Sequence, residues 1–271
     1  MIILDGRKAR DFYMEKLKAK IVALRSLGEA GPHLAIIQVG DNKSSSTYIE
    51  QKKKFGEKIG ATVEHIKFQA DVSFEELKNR IFSLNADKKV HGIIVQLPLP
   101  THLDKTSVIN FISIEKDVDG LTSNSKFIPA TAKGIKSLLD FYKIPINGKK
   151  VAMLGRSALV GAPTAKLFQS CGAIVTVCHS QTSNTREITS SSDIIIVAIG
   201  KPKFLDETYI GKNFPVVVDV GINSFEGKLV GDVDFEKVSP LVSAITPVPG
   251  GVGPMTVLSL FENLVEAADR A

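Results

Sequence analysis

KKVAMLGRSALVG, residues 149–161, is the stretch whose reading decides the fold. An apolar run at 149–154 turns through a Gly/Ser loop, and a helical pattern follows over 162–171. AIVTVC (173–178), DIIIVAIG (193–200) and PVVVDVGI (215–222) continue the series. Short, nearly continuous apolar runs that alternate with helical segments predict a parallel sheet covered by helices. The expected domain is Rossmann-type.

The loop itself, Gly155 to Gly161, is not GxGxxG: Ser157 replaces the middle glycine and the last glycine comes one residue late. Its context makes it a candidate phosphate site. It leaves a strand and opens a helix, whose first N–H groups and positive dipole end suit an anion. A plain strand-to-helix turn is the alternative. The end of the next strand bears on the cofactor. An NAD-specific site places Asp or Glu there to bind the ribose hydroxyls. Here Cys178, His179, Ser180, Gln181 and Thr182 carry no carboxylate that would repel a ribose phosphate. Arg156 supplies a guanidinium that matches phosphate oxygens, and Ser180 supplies a hydroxyl. The reading predicts NADP, and it assigns His179 no catalytic role.

Toward the N-terminus a second rhythm unfolds. Residues 5–27 carry Phe12, Leu17, Ile21 and Leu24 near the helical period. LAIIQVG (34–40) reads as a strand, 45–59 as a helix stopped by Gly60, and TVEHIKF (62–68) as a strand. Ser73 and Glu76 form a capping box for a helix at 74–85, and GIIVQL (92–97) is a buried strand. Residues 98–130 are richer in Pro, Ser, Thr and Asp; a helix at 132–142 and the turn Asn147-Gly148 follow. This is the passage between domains. In the last segment Met255, Leu258, Phe261, Leu264, Val265 and Ala268 recur at helical spacing. The expected architecture is α/β in two domains. A three-layer α/β domain covers 1–140 and a Rossmann-type NADP-binding domain 141–253; the C-terminal helix 254–271 has an apolar face that must pack somewhere.

Bulk properties narrow the function. The chain has 271 residues, 44% hydrophobic and 23% charged, ordinary for a globular protein. No run approaches the roughly 18 apolar residues of a membrane span, and the first residues lack signal-peptide features, so a cytoplasmic protein without membrane association is expected. The formal net charge of +5 comes with scattered lysines, no Trp and no RNP-like or zinc-finger pattern. The charge fits a nucleotide cofactor or a polyanionic substrate as well as it fits nucleic acid, and the missing motifs argue against nucleic acid. Cys171 and Cys178 read as reduced packing residues. The histidines show no HExxH or other metal spacing, and no Walker loop or GxSxG elbow occurs.

Several residues stand where chemistry is expected. Tyr48 and Lys52 are four apart on a predicted helix and share a face, although a helical lysine is usually a solvated one. Gln96 ends the apolar strand 92–97, and open α/β sheets bind ligands beyond the carboxyl ends of their strands. Asp117 and Asp119 flank Val118 just before Gly120, where an ordinary polar turn is the alternative. TPVPGGVGPMT (246–256) has a specified path that lets backbone approach a ligand, or it is a hinge before the last helix. The X-Pro bonds at 97–98 and 248–249 are candidates for the cis form, which sequence does not decide.

Together, VGDNKSSSTYIEQK (39–52), GIIVQLPLP (92–100), EKDVDGL (115–121), GRSALVGAP (155–163), CHSQT (178–182), DVGIN (219–223), GKLVGDVDF (227–235) and TPVPGGVGPMT (246–256) resemble, in order, the segments of the methylenetetrahydrofolate dehydrogenase/cyclohydrolases. The resemblance covers essentially the whole chain. It departs at Pro129-Ala130-Thr131-Ala132, where the family usually has Pro-Cys-Thr-Pro. That argues against any role for a thiol.

The resemblance implies NADP-dependent oxidation of methylenetetrahydrofolate to the methenyl form and hydrolysis of the latter to formyltetrahydrofolate. It implies Lys52 as the central catalytic residue, Tyr48 as its neighbour positioning the folate, Gln96 as its hydrogen-bonding support and Asp119 on the pterin edge. It further implies that Val95, Leu97 and the backbone of Pro249, Gly250, Gly251, Val252 and Gly253 line the tetrahydrofolate site. Gly155, Arg156, Ser157, Ser180 and Ile222 would contact NADP, the C-terminal helix 254–271 would pack back on the first domain and join it, and the protein would be a homodimer. The alternatives are a two-domain NADP dehydrogenase for a small hydroxy or amino acid, and a non-catalytic nucleotide-sensing module.

Overall fold

The computed structural model describes residues 1–26 and 31–270. Along the chain run β1 (Ile2–Ile3), α1 (Gly6–Ser26), β2 (His33–Val39), α2 (Lys43–Ile59), β3 (Thr62–Phe68), α3 (Phe74–Ala86), β4 (Gly92–Val95), α4 (Lys105–Asn110) and α5 (Ala130–Phe141). There follow β5 (Lys150–Leu154), α6 (Gly161–Ser170), β6 (Ile174–Cys178), α7 (Thr185–Ser190), β7 (Ile194–Val197), β8 (Val216–Asp219), β9 (Asn223–Phe225), β10 (Lys228–Val230), α8 (Phe235–Val238), β11 (Ala244–Ile245) and α9 (Val252–Asp269). Residue 27 of the expected first helix and residue 271 of the last lie outside the described residues. The chain forms two compact units, one of Phe12–Ala130 with Val257–Ala271, the other of Met1–Asp11 with Thr131–Thr256.

In the first unit the sheet order is β3-β2-β4, all parallel. Side chains alternate across the sheet. Ala35, Ile37 and Val39 of β2 and Ile93 and Val95 of β4 pack on one face with Leu77, Ile81 and Leu84 of α3 and Val108 of α4. On the other face α2 and the end of α9 meet: the Phe55 and Phe261 rings lie 5.2 Å apart. A Cβ on Gly56 would come within 2.6 Å of Val63, and one on Gly92 within 2.7 Å of Leu264. These are close approaches that only glycine permits. The result is the three-layer domain expected, with the C-terminal helix packed on it. Met255, Leu258, Phe261, Leu264, Val265 and Ala268 are all buried. In α1, Leu17, Ile21 and Leu24 are buried too, but Phe12 is exposed, so the expected stripe does not extend to it. Its ring packs edge-on against Tyr13 instead.

The second unit has the sheet order β1-β11-β8-β7-β5-β6, with parallel pairing throughout. One face buries Ala152, Leu154, Ile195, Val197, Val217 and Ile245. The path from β5 to β6 and back past β5 to β7 creates a topological switch point between β5 and β7, where open α/β sheets bind ligands. The two-residue strands β1 and β11 and the antiparallel hairpin β9–β10 go beyond the strands read from sequence. Both cysteines are free. Among the described residues no helix is long and apolar enough to cross a membrane.

Candidate functional site

Helix α2 follows β2, and the order β3-β2-β4 makes the ends of β2 and β4 a switch point of the first unit. Asn42 opens the helix, accepting from Ser45 N at 3.0 Å; Gly60, at φ 83°, closes it. Ser45, Ile49, Gly56 and Ile59 are buried, and with the half-buried Lys52 between Ile49 and Gly56 they step round the helix at three or four residues. A lysine at a core-facing position needs a polar partner. It has one: the Lys52 ammonium donates to Gln96 Oε1 at 2.8 Å.

Gln96 lies one residue past β4, where its N–H extends the ladder to Ile37 O at 2.8 Å. Its carboxamide is oriented from the other end, because Gln96 Nε2 donates to Leu97 O at 3.0 Å. Ser45 Oγ donates to the same carbonyl at 3.1 Å. Asn42, Ser45 and the Leu97 carbonyl thus brace the Lys52–Gln96 pair. Leu97–Pro98 is cis.

Asp119 brings a carboxylate toward this pair. Asp117, next but one, is buried and fully engaged: it accepts from Gly120 N, Leu121 N, Thr122 N and Thr122 Oγ1. Asn263 of α9 donates to Val118 O at 2.9 Å and Ile128 O at 3.0 Å. Of the two aspartates read from sequence, Asp117 builds the turn and Asp119 is presented by it. Burial pushes the Lys52 ammonium below the ordinary lysine range, and the Asp119 carboxylate opposes that shift. Burial raises Asp119 in turn, opposed by Lys52 and reinforced by Asp117. Burial also raises the Tyr48 phenol. The cluster therefore holds an ammonium inclined to lose its proton and a carboxyl inclined to keep one, a combination associated with acid–base sites.

In the second unit the 155–161 loop is shaped for close approach. Gly155 has φ 111°, and a Cβ there would lie 2.2 Å from the Ala198 carbonyl oxygen; one on Gly161 would lie 2.3 Å from Gly155 O. The late glycine thus packs the opening of α6 onto its strand. Ser157 Oγ accepts from Val160 N and Gly161 N, both at 3.2 Å, and Ser157 O accepts from Ala162 N. The first amides of α6 are thereby engaged by Ser157, so an anion there meets the helix dipole and the outer loop, not the free N–H groups expected. Arg156, Ser157 and Ser180 are exposed, and no carboxylate follows β6 before Gln181. This surface fits a phosphorylated dinucleotide at the β5–β7 switch point: a glycine cradle, a guanidinium and no acidic group at the ribose position.

Tyr48, Lys52, Val95, Gln96, Leu97 and Asp119 belong to the first unit; Gly155, Arg156, Ser157, Ser180, Ile222 and Pro249–Gly253 belong to the second. The 249–253 backbone is pinned within its own unit. Val248–Pro249 is cis, Gly250 has φ 111°, Gly6 N donates to Gly250 O at 2.9 Å, and a Cβ on Gly6 would lie 1.7 Å from Gly251 O. The sequence reading missed this N-terminal buttress, and it missed Ser45, Asn263 and two buried acids, Asp219 and Asp232. The Asp5-Gly6 step before the first helix, and acids ending or following apolar runs, were the available signals.

Comparison with known proteins agrees along the chain's whole length. Residues 4–119 match the family model for the tetrahydrofolate dehydrogenase/cyclohydrolase catalytic domain, and 129–271 match that of its NAD(P)-binding domain. A bifunctional FolD protein of Acholeplasma laidlawii is 46% identical, covering 97% of this chain and 96% of its own length. The crystal structure of the FolD methylenetetrahydrofolate dehydrogenase/cyclohydrolase of Campylobacter jejuni superposes with a TM-score of 0.96 at 42% identity, over 100% of this chain and 99% of that one. The Trypanosoma brucei enzyme, solved with NADP cofactor and inhibitor, gives 0.93 at 33% identity, over 100% and 98%.

Proposed function

Because this chain belongs to the tetrahydrofolate dehydrogenase/cyclohydrolase family, we propose that it oxidises methylenetetrahydrofolate with NADP and hydrolyses the methenyl product, with Lys52 at the centre of the second step. The observation that carries the assignment to Lys52 is its bond to Gln96 at 2.8 Å, on the buried stripe of α2. We assign the folate chemistry to the unit of residues 12–130 and the cofactor to the unit of residues 131–256.

NADP supplies the hydride acceptor. The first unit supplies alignment of the folate. Asp119 accepts from the pterin ring N–H and amino group, and Tyr48, on the same helix as Lys52, positions the ring. Arg156 and Ser180 hold the ribose phosphate, and Ile222 meets the nicotinamide end. Oxidation leaves a methenyl cation. Water adds to its carbon and loses one proton to the Lys52 amine. The ring C–N bond then breaks as its nitrogen takes up the remaining hydroxyl proton, leaving formyltetrahydrofolate.

A free lysine, with a pKa near 10.4, is a poor base at neutral pH. Burial has already moved Lys52 downward, and a bound cation moves it further by like-charge repulsion. The intermediate thus promotes the neutral amine that hydrolyses it. Gln96 keeps the nitrogen aimed.

The test is a spectroscopic assay of the purified chain with methylenetetrahydrofolate and NADP or NAD, following reduced cofactor and methenyl absorbance together. NADP reduction with transient methenyl absorbance supports the proposal; no turnover with either cofactor refutes it. The family resemblance also supports a cytoplasmic homodimer, and light scattering tests the dimer.

A further inference from the structure

Two aspartates of the second unit are buried and have no role in the chemistry described above. Asp219 ends β8 and is 3% exposed; Asp232, after β10, is 0% exposed. Asp219 Oδ1 accepts from Gly221 N and Asp232 N, and Oδ2 from Val233 N, each at 2.9 Å. Asp232 Oδ2 accepts from Ile199 N at 2.6 Å and Gly200 N at 2.8 Å, and Oδ1 from Asn223 Nδ2 at 2.8 Å. The partners are backbone N–H groups and one carboxamide, not cations. Burying a carboxylate without a counter-ion is costly. Burial does push Asp219 up to about 7, against the pull of its three N–H donors. A neutral loop closure would avoid that cost, so the placement of the acids calls for a reason.

Their geometry gives one. The N–H groups they collect come from the turn after β7 (199–200), the turn after β8 (221–223) and the segment 231–233. The first two leave the carboxyl ends of β7, which lies beside β5, and of β8, the next strand along, on the side where open α/β sheets bind ligands. The 198–200 turn also abuts the nucleotide loop: Ala198 O is what a Cβ on Gly155 would strike. The packing around the carboxylates leaves no slack. A Cβ on Gly231 would lie 1.8 Å from Asp219 Oδ2, and one on Gly221 2.3 Å from Asp232 Oδ1. Ile222, between the N–H held by Asp219 and the side chain held by Asp232, remains 47% exposed.

We propose that Asp219 and Asp232 are positioning residues for hydride transfer: together they lock the 199–200 and 221–223 turns so that Ile222 seats the nicotinamide end of the cofactor at a fixed height. The proposal rests on the NADP site assigned above. It separates two parts of that site, because neither acid hydrogen-bonds Arg156 or Ser180, the residues assigned to the phosphate end.

The test compares Asp232→Ala, Asp232→Asn and Asn223→Ala with the wild-type enzyme, each in three assays: NADP binding, NADP reduction, and hydrolysis of supplied methenyltetrahydrofolate. In Asp232→Asn the new side chain would keep an oxygen for Ile199 and Gly200, and Asn223 would turn its carboxamide to meet the new amide, so this variant should retain most of the oxidation rate. Asp232→Ala should lose roughly tenfold to a hundredfold in the kcat for oxidation, as small misplacements of reacting groups do, with NADP affinity and hydrolysis changed by no more than about threefold. Asn223→Ala, which removes a single bond, should show the same selective loss in weaker form and serves where Asp232→Ala does not fold. An unchanged oxidation kcat in Asn223→Ala, or equal loss of oxidation and hydrolysis in both alanine variants, overturns the proposal. A wild-type enzyme that does not reduce NADP overturns the underlying reading, and this one with it.

Discussion

The Lys52 ammonium and the Gln96 carboxamide oxygen are 2.8 Å apart, and the far end of that carboxamide is fixed on the Leu97 carbonyl. Gln96 is therefore an oriented neutral acceptor. Gln96→Glu would set a second carboxylate against Lys52 and hold it protonated. Hydrolysis of methenyltetrahydrofolate at pH 7 should fall by about a hundredfold, the scale of general acid–base catalysis, and its pH–rate profile should move to higher pH. A profile that stays in place would show that Gln96 does not tune the lysine.

The wild-type profile carries its own prediction. Burial lowers the Lys52 pKa from 10.5, and the neutral amine is the base, so hydrolysis should rise with pH and reach its midpoint below 10.5. A midpoint at or above the ordinary lysine value would contradict a desolvated base.

Asp119→Ala should weaken binding of folate substrate by about 1.5–3 kcal/mol, the range for hydrogen bonds to a charged group, while NADP binding survives. It also removes the charge that holds the Lys52 pKa up, so the remaining hydrolysis should reach its midpoint at lower pH. Calorimetric titration with each ligand, and the pH profile, check both parts.

Arg156→Ala should cost about 1.5–3 kcal/mol of NADP affinity and much less of NAD affinity, since only NADP carries the ribose phosphate. Equal affinities in variant and wild type would mean that the phosphate lies elsewhere.

Asp219 predicts a pH dependence of stability. Its folded pKa, about 7, is above the ordinary aspartate value of 3.8. The native state holds this proton more tightly than the unfolded chain, so the associated stability is present below about pH 4 and is lost as pH rises through about 7. Asp219→Asn removes the titration. The melting temperature of the variant minus that of the wild type should therefore rise between pH 5 and pH 8, by the equivalent of a few kcal/mol at most. A flat difference would mean that this carboxylate titrates alike in both states.

Much of the fold was legible because the sequence is locally consistent. The runs at 34–39, 92–95 and 194–197 are buried parallel strands with the apolar content such strands require. Ser73 caps α3 by accepting from Glu76 N, as the capping box predicts. β1 and β11 were not legible: two residues carry no periodicity, and their pairing is a long-range event. The buried stripe of α2 could be read from spacing, but the depth of Lys52 depends on Gln96, 44 positions away. Asp219 and Asp232 look like turn acids in sequence; only the N–H groups gathered from distant turns reveal them as clasps.

The central claim is that Lys52 is the base for hydrolysis and only a bystander to hydride transfer. Lys52→Gln, assayed separately for NADP reduction with methylenetetrahydrofolate and for hydrolysis of supplied methenyltetrahydrofolate, tests it most directly. The account predicts that hydrolysis is lost far more severely than oxidation. Retained hydrolysis, or equal loss of the two, would contradict it.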